Sequence, residues 1–100
     1  MNALIIKPTE QSVEVIDVTC LEDIIKLIGY ETIITDDIGN NGDKLYFDED
    51  CFLRGTEGRF QIDTLVPVSG NGVIIGADES GALTDVHLNL EEVKPRVKFL

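Results

Sequence analysis

The chain is poor in the residues that carry chemistry near neutral pH. Its 100 residues hold one histidine, two cysteines and no tryptophan. Two cysteines, Cys20 and Cys51, are too few for a disulfide framework, and no C-x-x-C pair is present for zinc or redox work. Both therefore read as small buried residues. Bases are scarce too, since eight Lys and Arg stand against nineteen Asp and Glu and leave a formal charge of −11. Counterion release at phosphates needs clustered Lys and Arg, so direct nucleic-acid binding is not expected. Attachment to an acidic membrane fails on the same ground. Long apolar runs are missing as well. The opening run Ala3-Leu-Ile-Ile6, between Asn2 and Lys7, is too short for a signal-peptide core or a bilayer span, which implies a cytoplasmic protein.

What is present is an ordinary folded composition, 43% hydrophobic and 27% charged, in a length that fills one hydrophobic core. One domain over 1–100 is expected. Ala3-Leu-Ile-Ile-Lys7, closed by Pro8, has the pattern of a central strand, and Val13-Glu-Val-Ile-Asp-Val18 that of its antiparallel hairpin partner. Thr19 and Glu22 have the spacing of a capping box. Behind them Leu21, Ile24, Ile25 and Ile28 fall on one helical face, with Gly29 placed to stop it. Turn signals at Gly39–Gly42, Gly55–Gly58, Gly70–Gly72 and Asp78–Gly81 then separate short β-rich runs at about Glu31–Thr35, Lys44–Phe47, Val73–Gly76 and Thr84–Leu88. Cys51–Arg54 and Phe60–Ile62 suit a further hairpin or an ordered loop, and Pro67 weakens a strand through Leu65–Val68. Asn89 and Glu92 repeat the capping signal, but Pro95 limits the helix to one turn before an extended tail.

These elements predict an α+β fold, a mostly antiparallel sheet of five to seven strands with one main helix, about 20–29, on one face. The expected core includes Leu4, Ile6, Val15, Ile24, Ile28, Ile34, Tyr46, Phe60, Val73 and Ile75.

Chemical motifs are thin. His87 has Asp85 two residues away, on the same face of an extended segment, which suits a small hydrolase or metal-dependent enzyme. No Gly-x-Ser-x-Gly elbow supplies a nucleophile. Gly70-Asn-Gly72-Val-Ile-Ile-Gly76 lacks the third glycine of a dinucleotide loop and a following phosphate-binding lysine. Asp37-Ile-Gly-Asn-Asn-Gly-Asp43 matches part of a calcium loop, yet Gly39 stands at its third position and Asp48 at its twelfth, and an Asn-Gly turn accounts for the same residues. No catalytic, cofactor or metal constellation is expected.

The charge distribution is the strongest remaining signal. Asp36, Asp37, Asp43, Asp48, Glu49 and Asp50 face only Lys44 within fifteen residues, while Lys94, Arg96 and Lys98 gather three of the eight bases near the C-terminus. Such a run is either a solvated face or a candidate surface for a basic partner. Mimicry of DNA is the alternative. A domain of this length is roughly 33 Å across. Duplex of that length carries about 19 charges, more than −11 spread over a globule supplies.

The segments Ala3–Pro8, Leu21–Gly29, Val73–Gly76, Asp78–Gly81 and Leu83–Asp85 together resemble a family of small bacterial, phage and plasmid proteins whose role is uncharacterised. The resemblance implies a short strand and hairpin, a helix, a mixed sheet and a mobile-element or prophage setting. It brings no catalytic residue. Phe52-Leu-Arg-Gly-Thr-Glu-Gly58 stands where that family tends to carry Leu-Pro-x-Asn-Arg. The expected function is a non-enzymatic accessory protein that binds a basic partner through its acids.

Overall fold

Strand β1 (Asn2–Lys7) carries the unbroken run Ala3-Leu-Ile-Ile6, and all four residues are buried, so its sheet needs apolar cover on both faces. The computed structural model describes residues 1–39 and 41–100; Asn40, inside the Gly39–Gly42 turn signal, lies outside them. The remaining elements are β2 (Ser12–Asp17), α1 (Leu21–Ile28), β3 (Ile33–Asp37), β4 (Asp43–Asp48), β5 (Arg59–Ile62), β6 (Val68–Ser69), β7 (Gly72–Ala77), β8 (Leu83–Thr84), α2 (Leu90–Val93), a 3-10 turn over Lys94–Arg96 and β9 (Val97–Phe99). Together they make a small single domain, mostly antiparallel sheet with few helices. No helix among the described residues is long and apolar enough to cross a membrane.

Among the described residues nine strands form two sheets, where the sequence predicts five to seven strands in one. The larger sheet runs β2-β1-β7-β4-β3, with β8 pairing the far end of β7 beyond the reach of β1. The smaller sheet runs β6-β5-β9. Its outer strands, of two and three residues, are too short to show an alternation in sequence, which is why the second sheet is hard to foresee.

Alternation sorts the core. Leu4, Ile6, Leu45, Phe47 and Ile74 face the small sheet and pack with Phe60, Ile62 and Val68. Ala3, Ile5, Tyr46, Val73 and Ile75 face the other way and share a cluster with Ile24 and Ile28 of α1. Gly72 lets Phe60 of the small sheet lie close against the large one, since a Cβ there would lie 2.6 Å from Phe60 Cζ.

Two expected core residues are exposed instead. Val15 pairs with Leu4 and Ile34 with Phe47, so both point toward the small sheet. They sit on β2 and β3, the edge strands of the large sheet, beyond what three short strands cover, and Val15 is 57% exposed. Cys51 is buried, but Cys20 is exposed as the N-cap of α1. Its side chain makes no cap; the Thr19 amide and hydroxyl bond to Asp23 Oδ2 at 2.9 and 2.7 Å, displacing the predicted Thr19–Glu22 box by one residue. Gly29 does end α1 in the left-handed conformation at φ 95°. Asn89 and Glu92 form the predicted capping box of α2, and the tail beyond Pro95 is β9.

Replacing Ile24 with Ala is expected to cost about 2–5 kcal/mol in urea melts. Val15→Ala should cost less than about 1 kcal/mol, and equal losses at the two sites would contradict this packing.

Candidate functional site

The run of acids between residues 36 and 50 is continuous in sequence and divided in space. Strand β4 separates Asp43 from Asp48 by five residue steps, about 17 Å at a typical rise. Asp36 and Asp37 close β3 at the Asp43 end, and Glu49 and Asp50 follow Asp48 at the other. Register adds new members to the first group. Asp43 pairs with Gly76 on β7, so Asp78 and Glu79 arrive beside Asp37 from forty residues away. An open groove of about 430 Å³ lies there, lined by Asp37, Asp43, Asp78, Glu79 and Lys44, with Gly39 and Gly42 among its other walls.

The six predicted partner-binding acids differ in availability. Asp36 is half-buried and Asp37 exposed, with Asp37 Oδ1 accepting from Lys44 Nζ at 2.9 Å. That hydrogen bond and the attached charge raise the Lys44 pKa above its ordinary value. Asp48 is buried and satisfied internally. It accepts from Arg54 Nε at 2.6 Å, from the Asp50 amide at 3.1 Å and from the Thr32 hydroxyl. Burial pushes its carboxyl up, but the Thr32, Arg54 and Asp50 hydrogen bonds together hold it below the usual carboxylate range. Glu49 is exposed and Asp50 half-buried. In the groove, Asp78 Oδ1 accepts from the Ser80 hydroxyl at 2.6 Å and the Ser80 and Ala82 amides at 2.9 and 3.0 Å. The Ser80 hydroxyl is the main cause of a lowered Asp78 pKa, so this carboxylate stays ionised.

Asp43 turns inward. Its side chain is fully buried, and its oxygens accept from the His87 amide at 2.8 Å and the Leu88 amide at 2.8 Å, with His87 Nδ1 at 2.9 Å. It therefore pins the segment after β8 onto β4. A Cβ on Gly76 would lie 2.5 Å from the Asp85 carbonyl, so only glycine lets that segment lie so close. Nothing local in the sequence marks the Asp43–His87 pair, because the partners are 44 residues apart and only strand register joins them.

The predicted His87–Asp85 pair is not formed. Strand β8 ends at Thr84, so the segment does not alternate through His87, and Asp85 Oδ1 instead accepts from the Asn2 amide at 2.8 Å. His87 is 49% exposed and borders a shallow pocket of about 230 Å³ whose other walls are Asn2, Leu4, Val15, Val86, Leu88, Asn89 and Leu90. These walls offer no hydroxyl or thiol as a nucleophile. The partial calcium loop is altered in the same way, because both Asp43 oxygens already serve protein N–H groups. Among the described residues no group of three or more His, Cys, Asp or Glu side chains is placed to hold a metal ion.

No family model, curated protein or solved structure matches the chain.

Asp43→Asn should lower stability by about 2–4 kcal/mol in urea melts, since it weakens the acceptor of two backbone amides in a buried site. Asp85→Asn should cost clearly less; the reverse order would show that Asp43 is not the pin. Asp48 makes an acid-sensitive contribution. Its folded pKa is depressed, so its stabilisation is present above the unfolded value near 3.9 and is lost as pH falls through the folded value. The stability gap between the parent and Asp48→Asn is therefore expected to shrink from pH 7 to pH 3, and a constant gap would count against an ionised Asp48.

Proposed function

We propose that this protein is a non-enzymatic cytoplasmic binding protein, and that its acidic groove at Asp37, Asp78 and Glu79 engages a partner protein with a basic surface. The observation that carries this reading is the arrival of Asp78 and Glu79 beside Asp37, which concentrates carboxylates that the sequence keeps apart. Lys44, the one base in the lining, is engaged by Asp37. The groove is open to solvent, so its charges keep their hydration and cost little to maintain, and their reach follows ionic strength. A prophage or mobile-element setting rests on the family resemblance alone.

Two alternatives have less support. DNA mimicry calls for one continuous stripe. The longest extent of the domain is 34 Å, and duplex of that length presents about 20 phosphates. Here the acids of the 36–50 run are divided between the ends of β4, with Asp43 and Asp48 buried. An enzyme built on His87 and Asp85 would need those side chains together, and Asp85 serves the Asn2 amide instead.

The test is a titration of the 15N-labelled full chain with hexalysine, a minimal basic probe, at low and high salt. Amide shifts are expected at residues 37, 78 and 79 at low salt and should largely vanish near 0.5 M, where the screening length is only a few ångströms. Asp78→Asn with Glu79→Gln should weaken binding several-fold at low salt. Shifts spread evenly over every exposed acid would reject the groove as a site.

A further inference from the structure

A second groove, of about 550 Å³, lies on the small-sheet side of the molecule and has the opposite character. Its walls are Phe52, Gly58, Arg59, Pro67 and Leu100. Phe52 is 48% and Leu100 59% exposed, and the chain neighbours of its walls, Leu53 and Val66, are 86% and 61% exposed. Four of the seven exposed large hydrophobic side chains among the described residues thus line this groove or neighbour its walls in the chain. Single exposed apolar side chains are ordinary on a monomer, whereas a contiguous group marks a contact surface.

The one charged side chain among these walls is Arg59, and its state sets it apart. The protein has three arginines. Arg54 lies 4.0 Å from the centre of the Tyr30 ring and gives its donors to Asp48 and Thr32. Arg96 binds Asp63 through both Nε and a terminal nitrogen. Arg59 is held over the Phe52 ring at 5.2 Å, yet among the described residues it makes no side-chain hydrogen bond or ion pair. A guanidinium held over a ring and without an internal partner keeps its N–H donors free, in the fork that grips a carboxylate by two parallel bonds. Arg59 thus shares with Arg54 a place over a ring, at 5.2 Å against 4.0 Å, and differs in having no side-chain carboxylate partner among the described residues.

From this complementarity we infer that the groove docks a peptide segment of a partner protein in which an Asp or Glu side chain sits between bulky apolar ones. The apolar side chains lie against Phe52, Pro67 and Leu100, and the carboxylate meets Arg59. A small free acid fits less well, since small-molecule sites enclose most of their ligand and this groove is open. A second copy of the chain is disfavoured by the mutual repulsion of two bodies that each carry −11. The inference is independent of the acidic groove, which lies on other elements.

The experiment is a titration of the 15N-labelled full chain with acetyl-Leu-Glu-Phe-amide, using acetyl-Leu-Gln-Phe-amide as the neutral control. Saturable shifts are expected at the amides of Phe52, Gly58, Arg59 and Leu100, with the Gln peptide binding about tenfold more weakly. Arg59→Met keeps the stem of the side chain and should abolish that preference, while Phe52→Ser should weaken both peptides. Asp78→Asn with Glu79→Gln should leave peptide binding unchanged, which separates this site from the acidic groove. Equal affinity for the two peptides, or an Arg59→Met variant that retains the preference, would overturn the inference. So would shifts at these amides that depend on protein concentration alone, because the occupant would then be a second copy.

Discussion

Three strands at the centre of the large sheet, β1, β7 and β4, carry apolar residues on both faces, and the rest of the architecture follows from the need to cover them. Water on either face would expose Leu4, Ile5, Ile74 or Ile75, each worth about 1.5–3 kcal/mol when buried. One short helix contributes Ile24 and Ile28 on one side. A separate small sheet covers the other, with Phe60 pressed against the space that Gly72 leaves open. Because the small sheet is short, its cover reaches Val13 on β2 but not Val15 or Ile34, which stay exposed.

The same arrangement governs the charges. An acid at a strand end is either left in solvent or drawn beneath the next segment, and Asp43 and Asp48 are drawn under. Each is satisfied by three donors, the His87 and Leu88 amides with His87 Nδ1 at Asp43, and the Asp50 amide, Arg54 Nε and the Thr32 hydroxyl at Asp48. Asp37, which remains outside, joins Asp78 and Glu79 in a groove unlike the one at Arg59. The molecule thus presents two surfaces of different chemistry, one acidic and hydrated, one apolar with a single cationic side chain over a ring.

The sequence is most readable where a local rule decides the structure. The Ala3–Ile6 run, the stop at Gly29 and the Asn89–Glu92 box are all settled by a few neighbouring residues. It is least readable where partners meet across register. The length of the acid run suggests one patch, but a strand in the middle of it sends the two halves apart, and nothing near Asp78 announces that it joins one of them. His87 illustrates the same limit: its nearest acid in sequence is Asp85, while its partner in space comes from β4. Strand β8 is only two residues long, so an alternation assumed through His87 gives a wrong neighbour.

Edge strands β2 and β3 leave one row of backbone groups without a sheet partner on each side of the large sheet. Such rows are templates for adding a foreign strand and, repeated, for fibril growth. Glu14 and Asp17 sit along β2, and Asp36 and Asp37 along β3. Laying two molecules edge to edge would set these acids against their own copies, a like-charge cost that opposes closing the ladder even though Glu14 and Asp37 are paired with Lys7 and Lys44.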